Sequence, residues 1–231
     1  MIIKNILLLH IVTSSLFAFD QIVVVLADSM KTSNASLQRY ELSDNGYLKY
    51  GSPISVNLGK KGLAWKRNPL IKLHNPQYKK EGDLKAPAGV FKLTTLYGYQ
   101  KSVDTQLDYI KSSDNLICID DVNSKYYNKI RKIDSSLHVS SFEWMKRDDN
   151  LYKYALVVDY NAKKIKNAGS CIFMHIEKSA QSATAGCSSM SEDSLQTLVN
   201  WLDKDKQPLL VQIPKTSCLQ YQRIFDGIDC S

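Results

Sequence analysis

The stretch of residues 169–202 constrains the fold most, because it predicts a strand, a connection and a helix in close succession. Residues 171–176 are a short apolar run rich in strand-forming residues, which predicts a strand. Residues 177–183 are polar and small, and they predict a connection. Apolar residues then recur at helical spacing over residues 195–202, and Ser191 is a suitable N-cap. We therefore expect a strand that returns through a loop into a helix.

A histidine and a cysteine lie at the two ends of this connection. Period-two alternation places Cys171, Phe173 and His175 on one face of the strand, with His175 near its end. Cys187 follows Gly186 shortly before the helix, where backbone N–H groups favour a thiolate and the glycine lets a substrate approach the main chain. The return of the connection can bring the imidazole to the thiol, which is the arrangement of a cysteine nucleophile with a histidine base.

A purely structural interpretation of this pair is the alternative. Free cysteine is among the most buried residue types, and a histidine on an apolar strand is more often a hydrogen-bonded core residue than a catalyst. Pattern alone favours that interpretation. The neighbours of Cys187 are Gly186 and Ser188 rather than packing residues, which favours the catalytic one.

Four ordered blocks of the sequence resemble one known family. The block at residues 169–201 contains G-S-C-I-F-M-H and then T-A-G-C, and it is similar to the catalytic signature of the L,D-transpeptidase (YkuD-type) family in its T-A-G-C branch. The other blocks are K-K-E-G-D with A-P-A-G-V-F at 79–91, C-I-D-D with Y-N at 118–128, and R-D-D-N-L-Y with V-V-D-Y-N at 147–161. Together the blocks cover most of residues 55–213.

This resemblance implies acyl transfer on peptidoglycan stem peptides. Cys187 would attack the carbonyl of the third stem residue and expel the terminal D-alanine, and His175 would take and return the proton. Backbone N–H groups around Gly186 and Cys187 would stabilise the oxyanion. Independently of the resemblance, the Thr184 hydroxyl could set the turn by local hydrogen bonding, or the residue could simply fill the turn. An amine from a neighbouring stem would then complete transpeptidation, whereas water would give carboxypeptidase activity.

The resemblance also implies a mainly β fold with one or more short helices, that is, a β-sandwich-like L,D-transpeptidase catalytic domain with the cysteine in a cleft. Five residues in or near the matching blocks become candidates for the substrate groove. They are Lys80, Asp83, Tyr127, Asn128 and Ser188.

The sequence departs from the wider family at two places. That family has a histidine before the Gly-Cys pair and an arginine soon after it, whereas this chain has Ala185 and then Ser188-Ser189. Ala185 agrees with the T-A-G-C branch, but the missing arginine removes one way of holding a substrate carboxylate. Two alternatives to a transpeptidase stay open: an L,D-carboxypeptidase or endopeptidase on the same substrates, and a catalytically silent cell-wall-binding module.

The N-terminus predicts export. Lys4 precedes an apolar run at residues 6–17, and Ala18 supplies a small residue, so residues 1–18 are expected to be a secretory signal peptide. Residues 19–231 are expected to form a single catalytic domain with a short C-terminal tail. We expect a periplasmic or cell-envelope location, with no stable membrane span once the signal is removed.

Charge and acidic residues argue against nucleic acid and metal. The net charge is +7, but the lysines are scattered and form no basic helical stripe, so no nucleic-acid partner is expected. Asp120 and Asp121 are adjacent on a predicted strand and point opposite ways, which favours capping of the following turn over metal binding. We expect no metal and no cofactor.

Five cysteines leave at least one thiol free, and Cys187 is our choice for it. Cys218 and Cys230 bracket the polar C-terminal tail, and a bridge between them would tie down that end. Cys118 and Cys171 could pair or could simply be buried, and the apolar surroundings of Cys171 favour burial.

Strand patterns dominate the rest of the chain. Residues 22–27 predict the first strand, and residues 36–58 predict two strands around an Asn-Gly turn. Residues 90–96, 152–160 and 209–213 predict further strands, and residues 70–73 a short one within a long loop. With one helix, this pattern predicts a mostly β domain.

Overall fold

The computed structural model describes residues 19–231, so the predicted signal peptide lies outside the described residues. The described part is mainly β with two short α-helices, which confirms the coarse fold class. The strands are β1 (Gln21–Ala27), β2 (Asn34–Ser43), β3 (Gly46–Asn57), β4 (Leu63–Trp65), β5 (Ala86–Gly98), β6 (Asp108–Lys111), β7 (Leu116–Ile119), β8 (Lys129–Lys132), β9 (Glu143–Trp144), β10 (Tyr154–Val158), β11 (Phe173–Ile176), β12 (Ser188–Met190) and β13 (Leu209–Pro214). The helices are α1 (Glu192–Trp201) and α2 (Lys215–Gln222), with a 3-10 turn at Lys204–Lys206.

Eight of these strands form a sheet that closes on itself. The order around it is β5, β13, β1, β2, β3, β12, β11 and β10, and β10 then pairs with β5. The narrowest junction lies between β12 and β3, where one residue pair, Ser189 and Asn57, joins the strands. Strands β4 and β6 also pair with β5, while β8, β7 and β9 form a separate three-stranded sheet.

Strands β1 and β13 pair in parallel within this closed sheet. Every residue of both strands is buried, which explains why residues 22–27 are a continuous apolar run and why residues 209–213 are apolar except for Gln212. Both predicted strands are confirmed. Strand β13 pairs with β1 on one side and with β5 on the other.

The predicted hairpin and helix are also confirmed. Strands β2 and β3 meet at the Asn45-Gly46 turn, where Gly46 has a φ of +94° that a residue with a side chain rarely adopts. The side chain of Ser191 accepts a hydrogen bond from the N–H of Ser194 and caps α1.

Two local predictions are wrong. Residues 70–73 are irregular rather than a short strand. Cys171 precedes β11 with a φ of +52° instead of lying in the strand. The C-terminal tail contains α2, a helix that was not predicted. Cys187 lies shortly before α1, as predicted, and the short strand β12 stands between them. The Ser-Ser-Met sequence of β12 has little strand propensity, so its pairing with β11 and β3 decides its conformation.

The cysteines form two disulfides. Cys218 pairs with Cys230 and ties α2 to the end of the chain, as predicted. Cys118 pairs with Cys171, so the end of β7 is linked to the residues that lead into β11. Cys187 is free and buried, which confirms its choice as the unpaired thiol.

Within residues 19–231, no helix has both the length and the apolar content that crossing a bilayer requires.

Candidate active site

A cleft of about 440 Å³ contains both residues of the predicted catalytic pair, Cys187 and His175. Its walls come from five parts of the chain: the loop before β5, Asp120 just after β7, strand β9 with the loop that follows it, the residues in and before β11, and the connection between β11 and β12. Strands of the closed sheet therefore hold the pair, while loops form most of the rim.

Strand register puts the pair on one face of the sheet. Strands β11 and β12 are parallel, and His175 is the register partner of Ser189. Because side chains alternate along a strand, Cys187 and Ser189 share the face of His175, and Ser188 points the other way. Ser188 Oγ donates to Gln212 Oε1 at 2.7 Å in the interior, so this groove candidate does not line the cleft.

Cys187 is a buried thiol with two backbone contacts. Its Sγ donates to the carbonyl of Cys171 at 3.6 Å and accepts from the N–H of Phe173 at 3.4 Å. Burial, reinforced by the Glu143 carboxylate, raises the pKa of this thiol to about 12, although the Phe173 N–H and the Lys79 ammonium act in the opposite direction. The sequence predicted a thiolate here, and that is wrong for the resting site because burial outweighs the single N–H.

His175 is a neutral imidazole at physiological pH. Burial lowers its pKa to about 4, despite the hydrogen bond between Nδ1 and the carbonyl of Ile176 at 2.8 Å. A carbonyl can only accept, so Nδ1 carries the hydrogen and Nε2 keeps a lone pair. The ring is therefore in the tautomer that a general base requires.

Among the hydrogen bonds of residues 19–231, none joins His175 Nε2 to Cys187 Sγ. The S–H points instead to the carbonyl of Cys171. The two groups share a face and a cleft, and proton transfer between them would require the S–H to rotate away from that carbonyl. Active-site hydrogen bonds of enzymes without substrate are often loose in this way.

The turn before Cys187 is fixed by Thr184. Its Oγ1 donates to the carbonyl of Cys187 at 2.7 Å and accepts from the N–H of Gly186 at 3.1 Å, which is the local hydrogen bonding that the sequence predicted. A Cβ at Gly186 would lie 3.1 Å from the carbonyl oxygen of Lys85, so the turn needs glycine. The N–H of Gly186 is thus occupied and is not the free oxyanion donor that we expected.

The loop of residues 79–85 contributes a buried cation that the sequence analysis missed. Lys79 is 3% exposed and forms an ion pair with Asp83 at 2.8 Å. Asp83 also accepts from the N–H groups of Lys80 and Lys85, so it shapes the loop instead of lining the cleft. The side chain of Lys80 is exposed and lies outside the cleft lining. Lys79, and not the predicted Lys80, therefore lines the cleft.

Tyr127 and Asn128, the remaining groove candidates, lie outside the cleft and form hydrogen bonds with residues that line it. The Tyr127 hydroxyl donates to Glu81, a cleft residue that also accepts from Ser170 Oγ at 2.7 Å. Asn128 Oδ1 accepts from the N–H of Cys171 at 2.9 Å and holds that residue in its left-handed conformation. Both side chains position cleft residues without lining the cleft themselves.

Tyr152 is the second group that sequence reasoning did not assign. Its buried ring meets His175 edge to face, with 5.2 Å between the ring centroids, and its hydroxyl donates to Glu143. The guanidinium of Arg147 lies over the same ring, 5.2 Å from its centroid. The block R-D-D-N-L-Y contains both Arg147 and Tyr152, so the matching motif was the available signal.

Within the described residues, no three His, Cys, Asp or Glu side chains cluster as metal ligands would. Asp121 accepts from the N–H groups of Asn123 and Ser140 and caps the turn after β7, as predicted.

Comparisons with models of protein families, with curated proteins and with solved structures found no match.

Proposed function

We propose that this protein is an exported cysteine acyl-transferase that acts on peptidoglycan stem peptides, with the L,D-transpeptidase catalytic fold that its motifs resemble. One observation supports this most: Cys187 and a neutral His175 with a free Nε2 share one face of paired strands and line one cleft. The periplasmic or cell-envelope location belongs to the same proposal, and the two disulfides agree with an oxidising compartment.

In the proposed acylation, the substrate carbonyl approaches Cys187 and the S–H turns towards His175. Nε2 takes the proton while Sγ bonds to the carbonyl carbon, and the imidazolium then gives that proton to the departing D-alanine amine. Starting from two neutral groups suits a buried site, because charge forms only as the sulfur attacks.

In this proposal, the backbone N–H of Cys187 donates the hydrogen bond that stabilises the oxyanion. The N–H of Gly186 joins it only if it releases Thr184 Oγ1. The arginine that the wider family has after the cysteine is absent from this sequence, but Arg147 and Lys79 bring two other cations into the cleft. A guanidinium and an ammonium suit the carboxylates of a stem peptide.

Burial of Cys187 favours a small second reactant. The residue is 8% exposed, so water reaches an acyl-sulfur bond more easily than the amine of a second stem does. Hydrolysis as an L,D-carboxypeptidase or endopeptidase is therefore the second candidate. The identity of the acceptor distinguishes it from transpeptidation.

Labelling with a carbapenem tests the nucleophile, because members of the proposed family accept carbapenems as acylating substrate analogues. Intact mass should show one adduct on the parent protein and on His74→Gln, an exposed-histidine control, but none on Cys187→Ser. His175→Gln should slow the labelling strongly. An unlabelled parent protein would favour the silent binding module.

Incubation with purified muropeptides then separates the two activities. Loss of D-alanine alone indicates hydrolysis, and a new dimer joined through the third residues indicates transpeptidation. Equal processing by Cys187→Ser would show that the nucleophile is assigned wrongly.

A further inference from the structure

A second cleft, distinct from the candidate active site, lies beside strand β5 and the loop that follows β10. It measures about 380 Å³, which is within the usual size range of small-ligand sites. It shares no lining residue with the cleft that contains Cys187.

The charges around this second cleft are unbalanced. Its lining includes four cations, Lys66, Arg67, Lys92 and Lys163, and one carboxylate, Asp159. In the described part of the chain, none of the ion pairs within 4 Å involves any of these five residues. Concentrating unpaired cations in a concavity is unfavourable in the empty cleft and favourable when an anion enters.

Lys66 is the cation best placed to bind. Its Nζ lies 5.3 Å from the ring centroid of Phe91 and donates to the carbonyl of Val90 at 3.1 Å, which leaves further N–H groups available. Partial burial lowers the pKa of Lys66 even though Asp159 opposes the shift, so the ammonium has lost hydration that an anionic ligand would replace. A partly desolvated cation binds an anion more strongly than a fully solvated one.

The floor and wall of the cleft are apolar. Phe91 and Tyr160 meet edge to face with 5.8 Å between their centroids, and Ile165 is 41% exposed although it is a large aliphatic residue. The loop that presents Ile165 is built by Asn161, whose side chain bonds both the N–H and the carbonyl of Ile165. This loop is therefore held in place by local hydrogen bonds.

We propose that this second cleft binds a phosphate- or carboxylate-bearing ligand whose anionic group is attached to a ring or a short aliphatic portion. The anion contacts Lys66 and Arg67, and the apolar portion lies against Phe91 and Ile165. The site is separate from the proposed acyl-transfer chemistry and does not depend on it.

Titration with small probes tests this site, with binding followed by calorimetry and backbone NMR. Phenyl phosphate and benzoate carry the two candidate anions on one ring, inorganic phosphate lacks the ring, and benzylamine reverses the charge. At least one aromatic anion should saturate with shifts at residues 66–68 and 159–165, and should bind more tightly than inorganic phosphate. Whichever of phenyl phosphate and benzoate has the lower Kd identifies the preferred anionic group. No saturable binding, or equal binding of benzylamine, would overturn the proposal.

Charge-removing variants locate the interaction. Lys66→Met should weaken the aromatic anion about 10-fold, as expected for loss of a hydrogen bond to a charged group, and the exposed Arg67→Gln about 3-fold. The exposed Lys101→Gln removes the same charge outside the cleft and should have little effect. Equal weakening by Lys101→Gln would mean attraction to the overall positive charge and would refute a local site. The alkylation rate of Cys187 should be the same in all three variants, which verifies that they fold.

Discussion

The ionisation of Cys187 is the property that most directly tests this description of the candidate active site. Burial, followed by the Glu143 carboxylate, raises the thiol pKa from an ordinary value near 9 to about 12. That corresponds to roughly 4 kcal/mol against the thiolate in the folded protein. Since the thiolate is the reactive form, alkylation at neutral pH should be about 1,000-fold slower than that of an exposed cysteine.

Alkylation by iodoacetamide measures this property cleanly, because the other four cysteines are in disulfides. The rate constant should rise about 10-fold for each pH unit and show no plateau around neutral pH. A plateau near pH 7 would mean that the thiol is already ionised, and the argument from burial would be refuted.

Replacing Glu143 separates charge from burial. Glu143 is the second cause of the raised pKa of Cys187, after burial. Glu143→Gln keeps an acceptor for the Tyr152 hydroxyl and removes the negative charge, so the pKa of Cys187 should fall and alkylation should become faster. The exposed Asp148→Asn removes one charge outside the cleft and should leave the rate unchanged. Equal acceleration by both variants would refute a specific role for Glu143.

Three further predictions concern the residues around the thiol. Burial lowers the pKa of His175 to about 4, so the stability that the neutral ring contributes is present above pH 6.5 and is lost as the pH falls towards 4. Between pH 6.5 and pH 4 this residue should therefore reduce the free energy of unfolding by about 3 kcal/mol. Urea unfolding at both pH values should show this decrease in the parent protein and not in His175→Gln. Replacing both Cys118 and Cys171 with alanine removes a disulfide of sequence separation 53, so the free energy of unfolding should fall by about 4 kcal/mol. Alkylation of Cys187 should also become faster in this variant. An unchanged alkylation rate would show that the disulfide does not shape the cleft. Gly186→Ala should cost about 1 kcal/mol or more and slow carbapenem labelling, because the new methyl group lies 3.1 Å from a carbonyl oxygen, and a normal labelling rate in this variant would contradict that contact.

Local sequence patterns were enough to predict the elements that carry a strong periodic signal. The apolar run of β1, the largely apolar β13, the Asn-Gly turn between β2 and β3, and the Ser191 cap of α1 are each determined by a few neighbouring residues. The strands β7, β8 and β9 were missed as a sheet because two to four residues give too short a pattern.

The composition of the cleft could be predicted only in part. His175 and Cys187 follow from strand alternation and from the matching motif, but Lys79 does not, because nothing in its neighbourhood distinguishes it from the exposed Lys80. Its burial depends on Asp83 and on the close approach of Gly186, a residue about a hundred positions away. The raised pKa of the thiol is likewise a consequence of packing that adjacent residues do not reveal.

The disulfide and the free thiol belong to one arrangement, and Cys171 joins them. Its Sγ is bonded to Cys118, its N–H donates to Asn128 Oδ1, and its carbonyl accepts the S–H of Cys187. The carbonyl of Cys171, a residue in the left-handed conformation, faces the Cys187 thiol, and the disulfide and the Asn128 hydrogen bond both restrain this residue. Reduction would release one of these two restraints, so the resting geometry of the thiol depends on an oxidising environment. Under the proposed function, an oxidising compartment preserves the Cys118–Cys171 disulfide and thereby the geometry of the Cys187 thiol.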